Sequence, residues 1–474
     1  MEGYSLGNYK KKLEKIFSRH PSVQAAPFGE AYKPGLEGMR EFARILGDPQ
    51  DSFHSIHVAG TNGKGSVANM LASALAAAGL KVGLYTSPHI VDFRERMRIA
   101  CPPADEGPAG AAGRNPSVEL VPREYVWSFL CDREADIEAL GLSFFEITTG
   151  MAFRWFADEK VDVAVVEVGL GGRLDSTNII IPDLSVVTSI ALDHCELLGH
   201  TLQEVASEKA GIFKKGVPAL VGEALAQTRP VFESKAEDAG CASLTFAEDS
   251  EPGLWHLSER ILGRMDLRGK YQSRNLRTVL SAVDILKGIP RYGGLCDDGR
   301  TVEAIENTAR RMEFHGRWER LCQQPFIIAD IGHNPAALAL NFAQLEEMVA
   351  QGDCSSLIIV YAVMADKDLD GIMPLMPVNA TYIFTAPQTR RALEGKELLR
   401  RYLAFCDSSG RPKNRVYEAD SARQALTMAI SLAKQTARKP SAASQKLAIP
   451  LIYVGGSTYL VSEAVQILKS LQGF

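Results

Sequence analysis

The heptapeptide Gly60-Thr61-Asn62-Gly63-Lys64-Gly65-Ser66 has the residue types of a loop that holds phosphate groups. Glycines let backbone N–H groups close on phosphate oxygens, a helix starting behind them adds the positive end of its dipole, and Lys64 supplies a point charge for the terminal phosphates. Residues 55–58 ahead of the loop read as a buried strand, and the Ala-rich stretch that ends near Gly79 reads as a helix, the order such a cradle requires. The spacing departs from GxxxxGK[ST], because Gly60 lies three residues before Gly63 and Gly65 separates Lys64 from Ser66. That argues against a common kinase or GTPase loop. The same residues also suit a tight turn with an exposed lysine and no ligand.

Three more side chains fall where an open parallel sheet binds its ligands, at or just past the carboxyl ends of apolar runs. These are Ser87 after residues 81–85, Glu167 near the end of 161–168, and His194 beyond 184–190. A magnesium ion beside ATP takes hard oxygen ligands in octahedral geometry, which Ser87 and Glu167 can offer together with water and phosphate oxygens. Taken singly, Glu167 suits a surface ion pair and His194 a hydrogen-bonded core histidine equally well.

To bring these groups together the chain must build a parallel sheet, and its pattern predicts two. β-Branched runs at 55–58, 81–85, 161–168 and 184–190 alternate with helices after Gly63 and at 201–213. A second series has strands at 326–330, 356–363, 380–385 and 448–454, with helices at 335–349, 392–405, 421–434 and 459–471. This predicts an α/β protein with a P-loop-type ATPase domain of mostly parallel sheet over residues 1–314 and a smaller Rossmann-like domain over 315–474. The stretch 288–299 is rich in Gly, Pro and Asp, and the hinge is placed near His315. Residues 101–122, dense in Pro, Gly and Ala, read as an irregular surface loop, and 436–445 as a solvated linker.

Composition narrows the function classes. At 474 residues the chain exceeds what one hydrophobic core supports, and 46% hydrophobic with 23% charged residues is ordinary for a globular protein. A net charge of −5 gives no electrostatic reason to expect nucleic acid or an acidic membrane as partner. Eight cysteines without a CxxC pair suggest neither a disulfide framework nor a thiolate zinc site. The polar start of the chain lacks the pattern of a signal peptide and no apolar run is long enough to span a bilayer, so cytoplasmic residence is expected.

Taken together with motifs farther along the chain, the loop resembles the Mur ligase superfamily, and specifically the folylpolyglutamate synthase/dihydrofolate synthase family. The matching stretches are Thr86-Ser87-Pro88-His89-Ile90 leading to Glu95-Arg96-Met97, Glu167-Val168-Gly169-Leu170-Gly171-Gly172-Arg173-Leu174-Asp175, Leu192-Asp193-His194 and Ser207-Glu208-Lys209-Ala210-Gly211. Later come His315-Gly316-Arg317-Trp318-Glu319 and Asp330-Ile331-Gly332-His333-Asn334-Pro335. Any one is weak; their shared order over nearly the whole chain is specific.

The resemblance implies a Mur-ligase-like fold and an ATP-dependent acid–amino-acid ligase that joins L-glutamate to dihydropteroate, to tetrahydrofolate, or to both. It implies ATP and two magnesium sites, the first at Ser87 and Glu167 and the second at His194 with Lys209. An ammonium group cannot coordinate a cation, but the matching lysine is carbamylated, which turns it into an anionic oxygen ligand. ATP contacts are implied from Gly60 to Ser66, Asn275, Arg317 and Asp330, with ATP lying between the domains and the chain a monomer. Lys64, Lys209 and His333 are the implied catalytic groups; Arg96, His333 and Ser457 match glutamate-binding positions. Ser143, Phe144, Phe145, Glu146 and Leu174 match the pterin pocket.

Each assignment has a plainer counterpart: a helix-surface ion pair for Lys209, a hinge ion pair for Arg317, a turn carboxylate for Asp330, and core packing for Phe144 and Phe145. The chain departs from the family at Tyr271, where histidine is common, and at Ile331-Gly332, where Gly-Ala is usual. Two rival activities share the loop. A peptidoglycan-precursor ligase normally has threonine after the loop lysine and lacks the Ser87 and Glu95-Arg96 patterns, and a non-catalytic nucleotide switch has no need to keep Glu167, His194 and Lys209 together.

Overall fold

The apolar runs of the first half pair side by side, and their carboxyl ends come out level. In a computed structural model describing residues 4–20, 35–102, 118–296, 298–389, 391–436 and 449–472, the strands of the first sheet are β1 (His54–Ala59), β2 (Val82–Tyr85), β3 (Met97–Ala100), β4 (Val118–Leu120), β5 (Val163–Glu167), β6 (Leu184–Val187), β7 (Ala219–Val221) and β8 (Leu244–Phe246). Their order is β4-β3-β2-β5-β1-β6-β7-β8. From β2 to β8 the pairs are parallel, while β3 and β4 add an antiparallel edge. The register sets Tyr85 beside Val166, Glu167 beside Val58, and Ala59 beside Val187. Residues leaving β2, β5, β1 and β6 thus emerge in one row, strand to strand about 4.8 Å apart.

Helix Lys64–Ala77 follows β1 and is buried from Gly65 to its last residue. It packs against β2 and β5 on one side and against helices Gln272–Lys287 and Asp298–Glu306 on the other. A run of Ala, Gly and Ser suits that place, since small side chains let backbones approach from every direction. On the opposite face, helix Phe144–Asp158 brings Phe144, Phe153, Trp155 and Phe156 to a core shared with Phe42, Tyr85 and Met97. Each fully buried large apolar side chain contributes about 1.5–3 kcal/mol.

The second sheet contains β9 (Glu319–Cys322), β10 (Phe326–Asp330), β11 (Leu357–Tyr361), β12 (Ala380–Phe384), β13 (Arg415–Glu418) and β14 (Leu451–Gly455), ordered β13-β12-β11-β14-β10-β9. All pairs but β9–β10 are parallel. Helices Pro335–Ala350, Gly395–Ser409, Ala422–Thr436 and Thr458–Gln472 connect them. Contacts divide the chain into two units, Met1–Asp266 with Gln272–Phe314, and Leu267–Tyr271 with His315–Phe474. The short segment Leu267–Tyr271 therefore keeps company with the second unit although its neighbours on both sides belong to the first.

Two expectations need correction. The strand expected over 184–190 ends at Val187: the Thr188 amide still reaches Ala59 of β1, but Thr188 Oγ1, Ser189 Oγ and the Ala191 amide bond the loop after β1. The expected irregular loop over 101–122 contains β4, which pairs antiparallel with β3; residues 103–117 lie outside the described residues. So does most of the expected linker over 436–445. No helix among the described residues is long and apolar enough to cross a membrane.

Candidate active site

The phosphate-type loop is a rigid object made by two strands. Gly63 is the N-cap of helix Lys64–Ala77 with φ +90, a conformation that costs any residue with a Cβ. By helix geometry the amides of the first turn, from Lys64 onward, lack intrahelical acceptors. The segment after β6 fastens the loop: the Asn62 carbonyl accepts from Thr188 Oγ1 (2.6 Å) and Ser189 Oγ (3.0 Å), and Thr61 Oγ1 donates to the Ala191 carbonyl (3.0 Å). Asn275 faces Gly63 so closely that a Cβ there would come within 2.2 Å of its Oδ1. Asn275 Nδ2 donates to Gln272 Oε1 (2.8 Å), and Gln272 Nε2 in turn donates to Ser66 Oγ (3.1 Å).

Two lysines converge on the start of this loop. Lys64 Nζ donates to the carbonyls of Gly60 (3.0 Å) and Thr61 (3.3 Å), and Lys209 Nζ donates to the same Gly60 carbonyl (3.0 Å). Lys209 is 3% exposed, so it is no helix-surface lysine. Burial first, and the Lys64 charge second, pull its pKa from 10.5 down to about 7, against the opposing pull of Asp193 and Asp175. Its position is fixed through helix Leu202–Ala210, on which the turn after β5 is laid: a Cβ on Gly172 would come within 2.8 Å of the Glu208 and Lys209 carbonyls, and the Arg173 amide donates to the Glu208 carbonyl (2.9 Å). Asp175 holds that turn from inside, accepting from the amides of Leu170 and Thr177. Burial raises its pKa while these bonds lower it.

On the other side of β1, Glu167 is 3% exposed and its Oε2 accepts from the Ser87 amide (3.1 Å), so it is not a surface ion-pair carboxylate. Arg98 on β3 stands behind them. Its Nη1 donates to the Met312 carbonyl (2.5 Å) and its Nη2 to Thr86 Oγ1 (3.2 Å). Burial lowers its pKa to about 10, which leaves it charged at neutral pH, with Glu95 and Glu167 favouring the charge. Glu95 spends its carboxylate on the turn after Ser87, accepting from the amides of Ile90 (2.7 Å), Val91 (2.9 Å) and Asp92 (2.7 Å). His194 has φ 52 and caps helix Cys195–Leu198, while the Asp193 carboxylate accepts from the His194 amide. Among the described residues no three His, Cys, Asp or Glu side chains form a cluster able to hold a metal ion by themselves.

Arg96 is buried beside this turn, its Nε donating to His89 Nδ1 (2.9 Å) and its guanidinium over the Phe144 ring at 5.1 Å. Burial and Arg96 hold His89 down at about 3, so it is the neutral acceptor that Arg96 needs. The stretch matched to a pterin pocket also starts and packs a helix. Ser143 and Glu146 form a capping box for helix Phe144–Asp158, each side chain accepting from the other's amide. Phe144 is in the core, stacked at 5.1 Å on Phe17. Phe145 is half-buried and packs against Gly169 and the Tyr85 ring; Leu174 is half-buried on the turn that leads to Asp175.

In the second unit, Asp330 ends β10 and is 2% exposed. It accepts from the Trp318 and Gly332 amides (2.8 Å each), from Asn341 Nδ2 (2.7 Å) and from the Tyr271 phenol (2.6 Å). All four donors belong to the second unit itself. Arg317 Nη1 donates to the Gly316 carbonyl. His333 Nδ1 meets the Ile331 carbonyl at 3.0 Å, which places a proton on Nδ1. Ser457 is buried, its Oγ accepting from the Tyr459 amide where helix Thr458–Gln472 begins.

Sequence reasoning overlooks the residues that hold others in place: Thr188 and Ser189 on the loop, Gln272 on Ser66, Asp175 in the turn, and Arg98 behind Thr86. Some signal is there to be read. Two hydroxyl residues directly after a buried strand, and a Gln three residues ahead of Asn275 on one helix face, are each places for a local hydrogen bond.

Residues 310–438 match the family of the Mur ligase glutamate ligase domain. The folylpolyglutamate synthase of Lacticaseibacillus casei is 34% identical over 363 residues, covering 73% of this chain and 80% of that protein. The dihydrofolate synthase/folylpolyglutamate synthase of Mycobacterium tuberculosis is 32% identical over 457 residues, 91% of this chain and 89% of that one. Among solved structures, the M. tuberculosis folylpolyglutamate synthase complexed with ADP superposes with a TM-score of 0.76 at 25% identity, covering 98% of both chains.

Proposed function

Since the chain belongs to the folylpolyglutamate synthase/dihydrofolate synthase family of Mur ligases, we propose that it forms an amide between L-glutamate and the carboxylate of a folate or dihydropteroate, driven by ATP. The observation that carries this reading is the row of groups along one sheet edge: Ser87 and Glu167 bonded to each other, the loop after β1, and Lys209 meeting Lys64 on the Gly60 carbonyl. The ADP bound to the M. tuberculosis relative supports the nucleotide part.

A carboxylate is a poor acyl donor because its leaving group would be oxide. One carboxylate oxygen attacks the γ-phosphorus of ATP, the bond to the bridging oxygen breaks, and ADP leaves an acyl phosphate. The glutamate amine then adds to the acyl carbon, loses a proton, and expels inorganic phosphate. The work of the protein is to hold charge in place. Lys64 and the first-turn amides would face the phosphates, and swinging Lys64 Nζ from the loop carbonyls onto them needs only side-chain torsions.

The donor set fits magnesium. Mg²⁺ binds through one or two carboxylates and keeps phosphate oxygens and waters for the rest, so Ser87 and Glu167 suffice without a three-carboxylate cluster. When bound, it would neutralise charge on the transferring phosphoryl group. Lys209 becomes a ligand beside His194 only as a carbamate: its neutral amine adds to CO₂ and releases a proton. Burial first and the Lys64 charge second, against the pull of Asp193 and Asp175, favour the neutral amine that carbamylation needs. Arg96 and Ser457 in the glutamate contact, Arg317 and Asn275 in the ATP contact, and His333 as a catalytic group carry over from the family on matching positions. Cytoplasmic residence as a monomer belongs to the same reading.

The rivals lack such support, since neither accounts for relatives named for folate ligation over most of their length. Purified protein with ATP and labelled glutamate, offered dihydropteroate and tetrahydrofolate in separate reactions, decides between first-glutamate addition and chain extension. If a muramyl nucleotide gives amide product while neither pterin substrate does, the reading is wrong.

A further inference from the structure

The loop ahead of helix Lys64–Ala77 is held from two sides. The segment after β6 takes Thr61 and Asn62, and helix Gln272–Lys287, also in the first unit, takes Gly63 and Ser66. The second hold runs through one carboxamide, that of Gln272, which is 0% exposed. Its Nε2 donates to Ser66 Oγ (3.1 Å) and its Oε1 accepts from Asn275 Nδ2 (2.8 Å). The bond to Asn275 turns that side chain so that Oδ1 faces Gly63, where a Cβ would come within 2.2 Å of it. An NH₂ turned the same way would push its hydrogens at the Gly63 Cα, on the residue whose φ of +90 starts the helix. Ser66 depends on the other bond. A serine inside a helix ordinarily bonds the carbonyl four residues back. Here that is the Asn62 carbonyl, and Thr188 Oγ1 (2.6 Å) and Ser189 Oγ (3.0 Å) already use its two lone pairs. Among the described residues Gln272 is the side chain bonded to Ser66 Oγ. Ser66 is 1% exposed while residues 61–64 are half-buried, so the brace lies behind the loop and leaves its front open.

We infer that Gln272 is a positioning residue of the phosphate loop: by holding Ser66 and turning Asn275 toward Gly63, it fixes the direction of the first-turn amides and of Lys64 toward the nucleotide phosphates. Gln272 itself touches no substrate atom. This rests on the proposed reading that the loop binds ATP. Because the loop acts on phosphates and not on the base, loss of the brace weakens a nucleotide according to the phosphates it carries. For one or two neutral hydrogen bonds the loss is about three- to tenfold in affinity.

The test uses the full chain with Mg²⁺ and calorimetric titration of ADP and AMP. The unsubstituted protein should bind ADP the more tightly. Gln272→Met keeps the length of the side chain and removes both bonds; it should lower ADP affinity about three- to tenfold and AMP affinity by less than about twofold. If that variant fails to fold, Gln272→Asn takes its place, since it keeps a buried amide one methylene too short to join Ser66 and Asn275, and the same fall in the ADP-to-AMP ratio is expected. Ser66→Ala, alone and combined with Gln272→Met, completes a double-mutant cycle in which the combined ADP loss should be smaller than the product of the single losses. A ratio left unchanged in a folded Gln272 variant, with both ligands weakened equally or neither, overturns the inference and leaves the nucleotide reading standing. So do losses at Gln272 and Ser66 that simply multiply. If the unsubstituted protein binds ADP and AMP equally, the loop is not the phosphate site and both fall.

Discussion

Lys209 should make the stability of the apoprotein depend on pH in a direction opposite to that of a surface lysine pair. Its pKa falls from 10.5 to about 7, first through burial and then through Lys64. Below about 7 the lysine is protonated both folded and unfolded, and the cost of burying the charge is present in full. Between about 7 and 10.5 the unfolded chain binds the proton and the folded one does not, so stability rises with pH until the cost is gone above 10.5. At about 1.4 kcal/mol per pH unit the whole window corresponds to roughly 5 kcal/mol, and the step from about pH 7.5 to 8.5 to about 1 kcal/mol. The measurement is urea unfolding of the parent protein and Lys209→Met at those two pH values in CO₂-depleted buffer. The parent should gain about 1 kcal/mol relative to the variant. Adding bicarbonate at fixed pH should then stabilise the parent alone, because only it can form the carbamate. Parallel pH curves would refute the buried-ammonium argument; an equal response to bicarbonate would refute carbamylation.

Three substitutions test the scaffold. Gly63→Ala combines φ +90 with a Cβ 2.2 Å from Asn275 Oδ1, and should weaken ATP binding by about tenfold or more while circular dichroism stays unchanged. Arg98→Met strands the Met312 carbonyl, for about 1–3 kcal/mol of stability. It should also raise the Mg²⁺ concentration for half-maximal ATP turnover, since Thr86 adjoins Ser87. Glu95→Gln puts an NH₂ where at least one of three amides needs an acceptor; a similar loss in thermal unfolding and a higher glutamate KM are expected, Arg96 being the next residue.

Patterns that arise within one short segment are readable in the sequence. Residues 326–330 form β10 with the bounds their sequence predicts, because a β-branched run closed by Asp and followed by Asn334-Pro335 specifies both its end and the next helix's start. The loop is readable for the same reason: strand, glycines, lysine and helix adjoin. What escapes are pairings between distant segments. β3, β4, β7, β8, β9 and β13 are short, and some are half-exposed, so their apolar content is too small to announce them. Beside the substrate role that two neighbouring aromatic rings suggest for Glu146, Ser143 three residues earlier already marks a capping box. At Asp330, nothing in its own neighbourhood reveals that Tyr271 and Asn341 approach it.

The five residues Leu267–Tyr271 bear on how such a protein can be recombined. A gene cut between Phe314 and His315 looks like a clean separation, but the piece after the cut lacks the peptide whose Lys270 amide donates to Gln344 Oε1, whose Arg268 carbonyl accepts from Gln344 Nε2, and whose Tyr271 bonds Asp330. Swapping the glutamate-ligase half between homologues therefore calls for two splice sites at its front, one at His315 and one that carries the upstream pentapeptide. A chimera made with the single cut would inherit a carboxylate and an amide evolved for partners encoded by the other parent.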